Sequence, residues 1–473
     1  MYKATIGLEV HVELKTNSKN FSSAKNAYSL EHNTNITEID LGYPGILPVV
    51  NKEAVKKALK VALALNCKTP EYLIFDRKNY FYPDLPKGYQ ITQLHHPVGI
   101  DGYLMINVGG VDKKVLIHDT HLEEDTASME HLSNYSLIDY NRAGIPLLET
   151  VTEPCLNSAD EAIAFLEALR SLFLYCDISE ARSDLGQIRC DVNVSLAKDT
   201  DTNLGTRVEM KNINSFSAVR SAILCEIKRQ TEILENGGKV EQETRRYDET
   251  SDMTYLMRSK VDAIDYKYYI EPNLPPIKIS KDFLEEIKKE IPTLQYERLN
   301  NYIDNYNLTR VEATTLIKEK ALSDYFEKMI SLGVQPKFAC NWLVGFILGY
   351  LNKNYLSIVD IKMTPEMLKK MIDLLDSGKI SIKQMKEILT KALEEDKDPN
   401  VLVKELNIYQ ITDSNEIRII VNEVLDENIN LVEDYKNGKR VLDFIIGQIM
   451  KKTKGRVNPL ATSKILQEEL DKR

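Results

Sequence analysis

The chain has 473 residues and a formal net charge of -10, with 28% charged and 43% hydrophobic residues. That length predicts two or three domains of about 100–200 residues each, and the acidic balance excludes a protein that wraps nucleic acid over its whole surface, though not one with a local basic patch. Six scattered cysteines (Cys67, Cys155, Cys176, Cys190, Cys225, Cys340) form no C-x-x-C pair, which argues against a disulfide frame or a cysteine-held metal and for a reducing cytoplasm. The N-terminus shows no basic and apolar leader pattern, and the longest apolar run, Trp342–Leu351, is too short to span a bilayer. All seven histidines lie at or before His131, so any histidine chemistry belongs to the first part of the chain.

Ile6–Leu14 alternates without a fault. On a strand, period-two geometry puts Glu9, His11 and Glu13 on one face and Ile6, Leu8, Val10, Val12 and Leu14 on the other. Carboxylate and imidazole are ligands for divalent cations; the bland reading of the same face is a solvated strand surface. A polar loop follows over Lys15–Glu38, then Gly- and Pro-rich irregular chain to Pro48. Asn51–Leu65 reads as an amphipathic helix with Asn51 as its N-cap. Phe75–Tyr89 interleaves aromatic and basic residues with little helical or strand character, the pattern of base stacking and phosphate holding, or of an aromatic turn packed on a core.

Gly99–His118 predicts a hairpin turning at Asn107-Val108-Gly109-Gly110. Ile117–Asp125 reads as a turn or strand end, in which three acidic residues follow a histidine pair. Leu137–Asn141 and Leu147–Val151 predict short strands around the turn Arg142–Pro146, and Glu149 sits among apolar neighbours, where a lone carboxylate is costly to bury unless paired or metal-bound. Ser158 and Glu161 form a capping-box pattern for a helix running to about Tyr175. Ile188–Leu196 repeats the alternation, with Arg189, Asp191, Asn193 and Ser195 on one face, and Arg207, Glu209 and Lys211 share a face of the next strand. A sheet with this many polar faces predicts a binding surface, or one wetted by water. Ser217–Asn236 is a long helix stopped by Gly237-Gly238, and Glu271–Pro276 is a proline-stiffened link. From about Pro292 to Leu393 the patterning is helical, with Thr364-Pro365 opening one helix. Asp396–Asn400 breaks it, Asp413 caps a helix over Ile417–Tyr435, and Lys451–Pro459 is a basic turn before the last helix.

The chain has no Walker A loop, G-x-G-x-x-G, G-x-S-x-G or H-E-x-x-H motif. The residues alone give a metal-carboxylate site on a sheet, an aromatic-basic loop and helical appendages but not the reaction; a free-standing metal-dependent hydrolase using Glu9, His11 and Asp191 and a tRNA-binding scaffold that leaves the chemistry to its partners are the rival readings.

A series of motifs narrows the choice. Gly7–Leu14 (GLEVHVEL), Phe75–Pro83 (FDRKNYFYP), His121–Asp125 (HLEED), Asp139–Glu149 (DYNRAGIPLLE), Arg189–Asn193 (RCDVN), Glu209–Phe216 (EMKNINSF) and Gln242–Asp248 (QETRRYD) occur in that order. Together they resemble the B subunits of the bacterial aspartyl/glutamyl-tRNA(Asn/Gln) amidotransferases. The resemblance implies an α+β fold. An N-terminal domain (1–291), an antiparallel sheet with helices forming a cradle-like catalytic site, precedes an all-α domain (292–406) and a small helical tail (407–473) that binds tRNA, with Lys454 and Arg456 as its contacts. It implies a cytoplasmic ligase of protein biosynthesis. Such a chain uses ATP and Mg²⁺ to activate the side-chain carboxylate of mischarged Glu-tRNA(Gln) or Asp-tRNA(Asn), and ammonia arrives from a glutaminase A subunit in a heterotrimer with a C subunit. Carried over position by position, the resemblance implies Glu9, Glu124 and Glu149 as direct Mg²⁺ ligands. His11, Glu123 and Asp191 are left for a second cation or the surrounding shell. Catalysis falls to Glu9, His11, Glu124 and Glu149; our own reading of the residues adds Lys78, Tyr80 and Tyr82 near the reaction mouth and Arg142 and Lys211 as candidate phosphate contacts, for substrate or ATP. Some members hold zinc with two cysteine pairs in the Phe21–Gly42 region; this chain has none there, so no zinc is expected.

Overall fold

The computed structural model describes residues 2–213, 215–259, 266–406, 411, 413–437, 439, 441–453 and 456–473. Two compact units divide the chain, Met1–Arg298 and Leu299–Arg473.

The first unit carries the strands β1 (Tyr2–Glu13), β2 (Tyr72–Leu73), β3 (Asp76–Asn79), β4 (Tyr89–Thr92), β5 (Gly99–Val108), β6 (Val111–Glu124), β7 (Ser128–His131), β8 (Ser136–Asp139), β9 (Pro146–Thr152), β10 (Ile188–Lys198), β11 (Val208–Ile213), β12 (Glu243–Asp248), β13 (Met253–Ser259), β14 (Tyr269–Ile270) and β15 (Ile277–Lys278). Eight of them make one sheet, in the order β13-β12-β11-β10-β1-β9-β6-β5. β1 lies near its centre, flanked by β9 and β10. Neighbours are antiparallel except β11 and β12, which run parallel. They are joined by the helix α3 (Phe216–Glu235, numbered with the helices below), as a parallel pair requires a crossover rather than a hairpin. The expectation of an antiparallel sheet thus meets one parallel pair.

Alternation decides which face is buried. Ile6, Leu8, Val10 and Val12 are fully buried, while Glu9, His11 and Glu13 are partly open. The buried face packs under α1 (Lys52–Ala64), α2 (Ala159–Tyr175) and α3. The caps are those the sequence predicts. Asn51 accepts the N–H groups of Glu53 and Ala54, and Ser158 accepts that of Glu161. The capping box at Ser158 is half-formed, because the Glu161 carboxylate accepts the N–H of Asn157 instead. The β5–β6 hairpin turns on Gly109 and Gly110, at φ of 60° and 90°, conformations that cost glycine little.

One segment differs from expectation. Asp76–Asn79 is a strand, paired with β4 and β14. β6 continues as strand to Glu124, which selects the strand end over the turn for that acidic stretch.

The second unit is helical among its described residues and holds two separate apolar clusters. One runs from Leu299 to Val403 and the other from Ile417 to Leu470. Thr364 caps the helix that Pro365 opens, and Asp413 caps Ser414–Glu427. The helix expected over Ile417–Tyr435 is two, because the chain breaks at Asn428 before Ile429–Lys436. No described helix is long and apolar enough to cross a membrane.

Candidate active site

The open face of the large sheet aligns charged side chains in rows. His121 on β6 pairs with Glu149 on β9, Glu149 with His11 on β1, and His11 with Arg189 on β10. In the next row Glu9 pairs with Asp191. Cross-strand neighbours on one face stand about 4.5–5.5 Å apart at Cβ, so these side chains meet.

The first cluster is His11, Glu123 and Glu149, whose ligand atoms all lie within 4.8 Å of one another. His11 Nε2 is 3.3 Å from Glu149 Oε2 and 3.7 Å from Glu123 Oε1. His121 Nε2 approaches the same Glu149 oxygen at 3.1 Å, and its Nδ1 is 2.7 Å from Asp119 Oδ1. Asn20 donates to the Glu123 carbonyl at 2.8 Å and so ties the N-terminal loop to the strand end. Burial pushes the Glu149 carboxyl up, but the flanking His11 and His121 hold it well below the usual carboxylate range. Burial also disfavours both imidazolium ions, yet Glu149 raises both histidines, His121 well above its ordinary value. Burial, with Glu149 beside it, raises the Glu123 carboxyl. A buried and a half-buried carboxylate facing imidazoles are a donor set that suits a divalent cation.

The second cluster is Glu9, Asp191 and Glu209. Asn193 donates to Glu9 at 2.9 Å, and Lys211 Nζ bridges Asp191 and Glu209 at 2.8 and 2.9 Å. Burial and Glu149 raise the Glu9 carboxyl, so the two clusters feel each other.

Glu124 joins neither cluster. It follows Glu123 on the same strand, so its side chain points to the opposite face. There it forms a buried ion pair with Lys87 and accepts the Ile91 N–H at 2.9 Å. The expected trio of Glu9, Glu124 and Glu149 is therefore not what the fold brings together, because adjacent strand residues cannot share a face.

Lys78, on β3, is partly buried, and its ammonium lies over the Tyr266 ring at 4.9 Å. Burial disfavours its charge, but Glu123, Tyr268, Glu149 and Tyr266 together outweigh this and raise its pKa. Tyr80 packs edge-on against Tyr266 at 5.8 Å, whereas Tyr82 is exposed beside an almost bare Phe81. Arg142 and Arg189 both donate to the buried Asp125, at 2.6 and 3.2 Å. Glu13 lies near this trio, and burial and Asp125 push its carboxyl up to about 7. Lys211 is held by its two carboxylates. Arg456 is exposed, with its Nε donating to Thr453 O at 3.2 Å; Lys454 lies outside the described residues.

Around the segment Phe21–Gly42, Ser22 donates to Asp40 at 2.8 Å, and the fully buried Lys19 lies 3.7 Å from Asp40.

His121, Asp119, Asp125, Arg189 and Glu209 are missing from the residues that the sequence nominates for the site. Continuing the strand period through Ile117–Asp125 finds the first three, since it sets Asp119, His121, Glu123 and Asp125 on one face and Glu124 on the other.

The chain matches a family model described as the GatB/GatE catalytic domain over residues 4–285, and one described as the GatB domain over residues 324–470. It is 46% identical over 474 residues to the B subunit of the aspartyl/glutamyl-tRNA(Asn/Gln) amidotransferase of Halalkalibacterium halodurans, and 47% identical over 474 residues to that of Shouchella clausii, covering 100% of both chains in each case. Its counterpart in Carboxydothermus hydrogenoformans is 45% identical over 477 residues, with 100% of this chain and 99% of that one covered.

Proposed function

The chain belongs to the GatB family of amidotransferase B subunits, and from that premise we propose that its sheet face activates the carboxylate of a mischarged aminoacyl-tRNA. It is a ligase that takes its amide nitrogen from glutamine, within a multi-subunit, ATP-using, tRNA-dependent amidotransferase. The finer reading assigns Glu-tRNA(Gln) or Asp-tRNA(Asn) as substrate, a glutaminase A subunit and a C subunit as partners, and the cytoplasm as location. It assigns residues 1–291 to catalysis, 292–406 to a helical domain, and 407–473, with Lys454 and Arg456, to tRNA contact.

The reaction has two steps. An oxygen of the side-chain carboxylate takes the γ-phosphoryl group of ATP, and the bond to ADP breaks. The ammonia lone pair then attacks the acyl carbon, the C–O bond to phosphate breaks, phosphate leaves, and the nitrogen loses a proton. A carboxylate cannot be attacked directly because it carries no leaving group; phosphorylation supplies one.

His11, Glu123 and Glu149 are the residues that would hold Mg²⁺. When bound, the ion supplies positive charge that offsets the charge on the transferring phosphoryl group. The chain's own residues do the rest. Lys78 and Arg142, with Arg189 beside it, face anionic oxygens. Asp119 fixes the His121 ring, which steadies Glu149. Tyr80, with Tyr266 against it, and the exposed Tyr82 and Phe81 offer flat surfaces for the terminal base of the tRNA or for adenine. The Glu124–Lys87 pair ties the loop that carries these rings to β6.

The His11–Glu123–Glu149 cluster on a rigid strand array carries this reading. The test is conversion of Glu-tRNA(Gln) to Gln-tRNA(Gln) by the purified multi-subunit enzyme with ATP, supplying either glutamine or ammonium chloride. Conversion with ammonium chloride after the glutaminase has been inactivated is expected. A strict need for glutaminase activity even at saturating ammonium would contradict the assignment of activation to this chain.

A further inference from the structure

The two acidic clusters are opposed in one respect. The imidazole of the first, His11, can offer a nitrogen lone pair to a metal. The second contains an ammonium, which offers none. Lys211 Nζ stands 2.8 Å from Asp191 Oδ2 and 2.9 Å from Glu209 Oε1, between two of the three carboxylates. The second oxygen of Glu209 accepts the Thr244 hydroxyl at 2.9 Å, and Arg258 acts on Glu209 less strongly than Lys211 does. The third carboxylate, Glu9, is held by the Asn193 amide at 2.9 Å. The backbone fixes this arrangement. Glu209 and Lys211 are two apart on β11 and share a face, and β10 alongside carries Asp191 on that same face.

We infer that Lys211 is the resident cation of the Glu9–Asp191–Glu209 cluster, and that its presence limits the chain to one tightly held divalent ion, at His11–Glu123–Glu149. A metal ion seated among the three carboxylates would have to evict the ammonium or sit beside it, like charge against like charge. The inference rests on the reading of the first cluster as the cation site, and it gives Lys211 a selective role rather than that of a free phosphate contact.

The test counts ions. Full-length chain stripped with chelator and desalted is titrated with Mn²⁺, and free Mn²⁺ is followed by its electron paramagnetic resonance signal. Wild type and Lys211→Arg are expected to hold one ion. Lys211→Met is expected to hold two, and adding Glu209→Gln to it to return the count to one. Asp191→Asn alone is expected to keep one ion, while Glu149→Gln loses it; these two variants decide the matter should Lys211→Met fold poorly by circular dichroism. A wild-type count of two, a count of one in folded Lys211→Met, or loss of the ion in Asp191→Asn would overturn the role of Lys211 and leave the first site standing. No ion in wild type, with one gained in Lys211→Met, would refute the first site and retain the role of Lys211.

Discussion

The two units of the chain use charge in opposite ways. In the helical unit, pairs such as Lys320–Asp324 and Lys369–Asp373 lie one turn apart on helix surfaces, with Lys369 and Asp373 32% and 52% exposed. Such pairs contribute a few tenths of a kcal/mol and are screened by salt. In the sheet unit, Glu123 and Glu149 are crowded together beside His11 and His121, and Glu123 is only 5% exposed. Like charges brought together out of water cost stability rather than add to it. A fold keeps such a cluster for the chemistry it allows.

The sharpest way to break this comparison is Glu149→Gln, which removes the carboxylate that both histidines face. We expect transamidation to fall by about 10²- to 10³-fold, with tRNA affinity, measured by filter binding, little changed. An equal loss of tRNA binding would reduce Glu149 to a structural part. Asp119→Asn acts one step further out, through the His121 ring; about a tenfold loss is expected, read as a higher Mg²⁺ requirement in the rate assay.

Glu13 probes the same face through stability. Its carboxyl is raised from the usual 4.5 to about 7, so the folded chain holds this proton more tightly than the unfolded one. Its contribution to stability therefore falls as pH rises from about 4.5 to about 7, and the burial penalty is complete above that. Glu13→Gln should stabilise the protein at pH 8, by up to about 3 kcal/mol, and change little at pH 4.5. Denaturant melts at the two pH values check this; equal shifts at both would refute the assignment. The smallest effect belongs to the helical unit, where Lys369→Ala should change unfolding free energy by under about 0.5 kcal/mol. A larger loss there would blur the contrast between the units.

Much of the fold is legible because its strands alternate cleanly. Residues 6–14 and 188–196 declare both faces, and the caps at Asn51, Ser158, Thr364 and Asp413 declare helix starts. Legibility ends where tertiary pairing overrides local preference. Asp76–Asn79 is too short and too charged to read as a strand, and it becomes one through β4 and β14. Asp119–Glu124 is acidic, and strands are poor in acidic residues, so the sequence leaves it between a turn and a strand end; pairing with β9 keeps it extended. Strand geometry there also separates Glu123 from Glu124, which a resemblance carried over residue by residue does not do. The break at Asn428 is hidden because apolar spacing continues on either side of it. Glu209 and Lys211 are visible as a shared face, but only the register with β10 reveals that Lys211 fills the acidic cluster.

The neighbouring glutamates of β6 give the most direct test of where the cation sits. Glu123→Gln and Glu124→Gln differ by one position and by which side of the sheet they disturb. The measurement is tRNA-dependent ATP cleavage by the multi-subunit enzyme as a function of Mg²⁺ concentration. We expect Glu123→Gln to raise the Mg²⁺ needed for half-maximal rate by at least about tenfold, and Glu124→Gln to leave that concentration unchanged, whatever it does to the rate. The reverse order, or equal shifts in both, would contradict the placing of the cation at His11, Glu123 and Glu149.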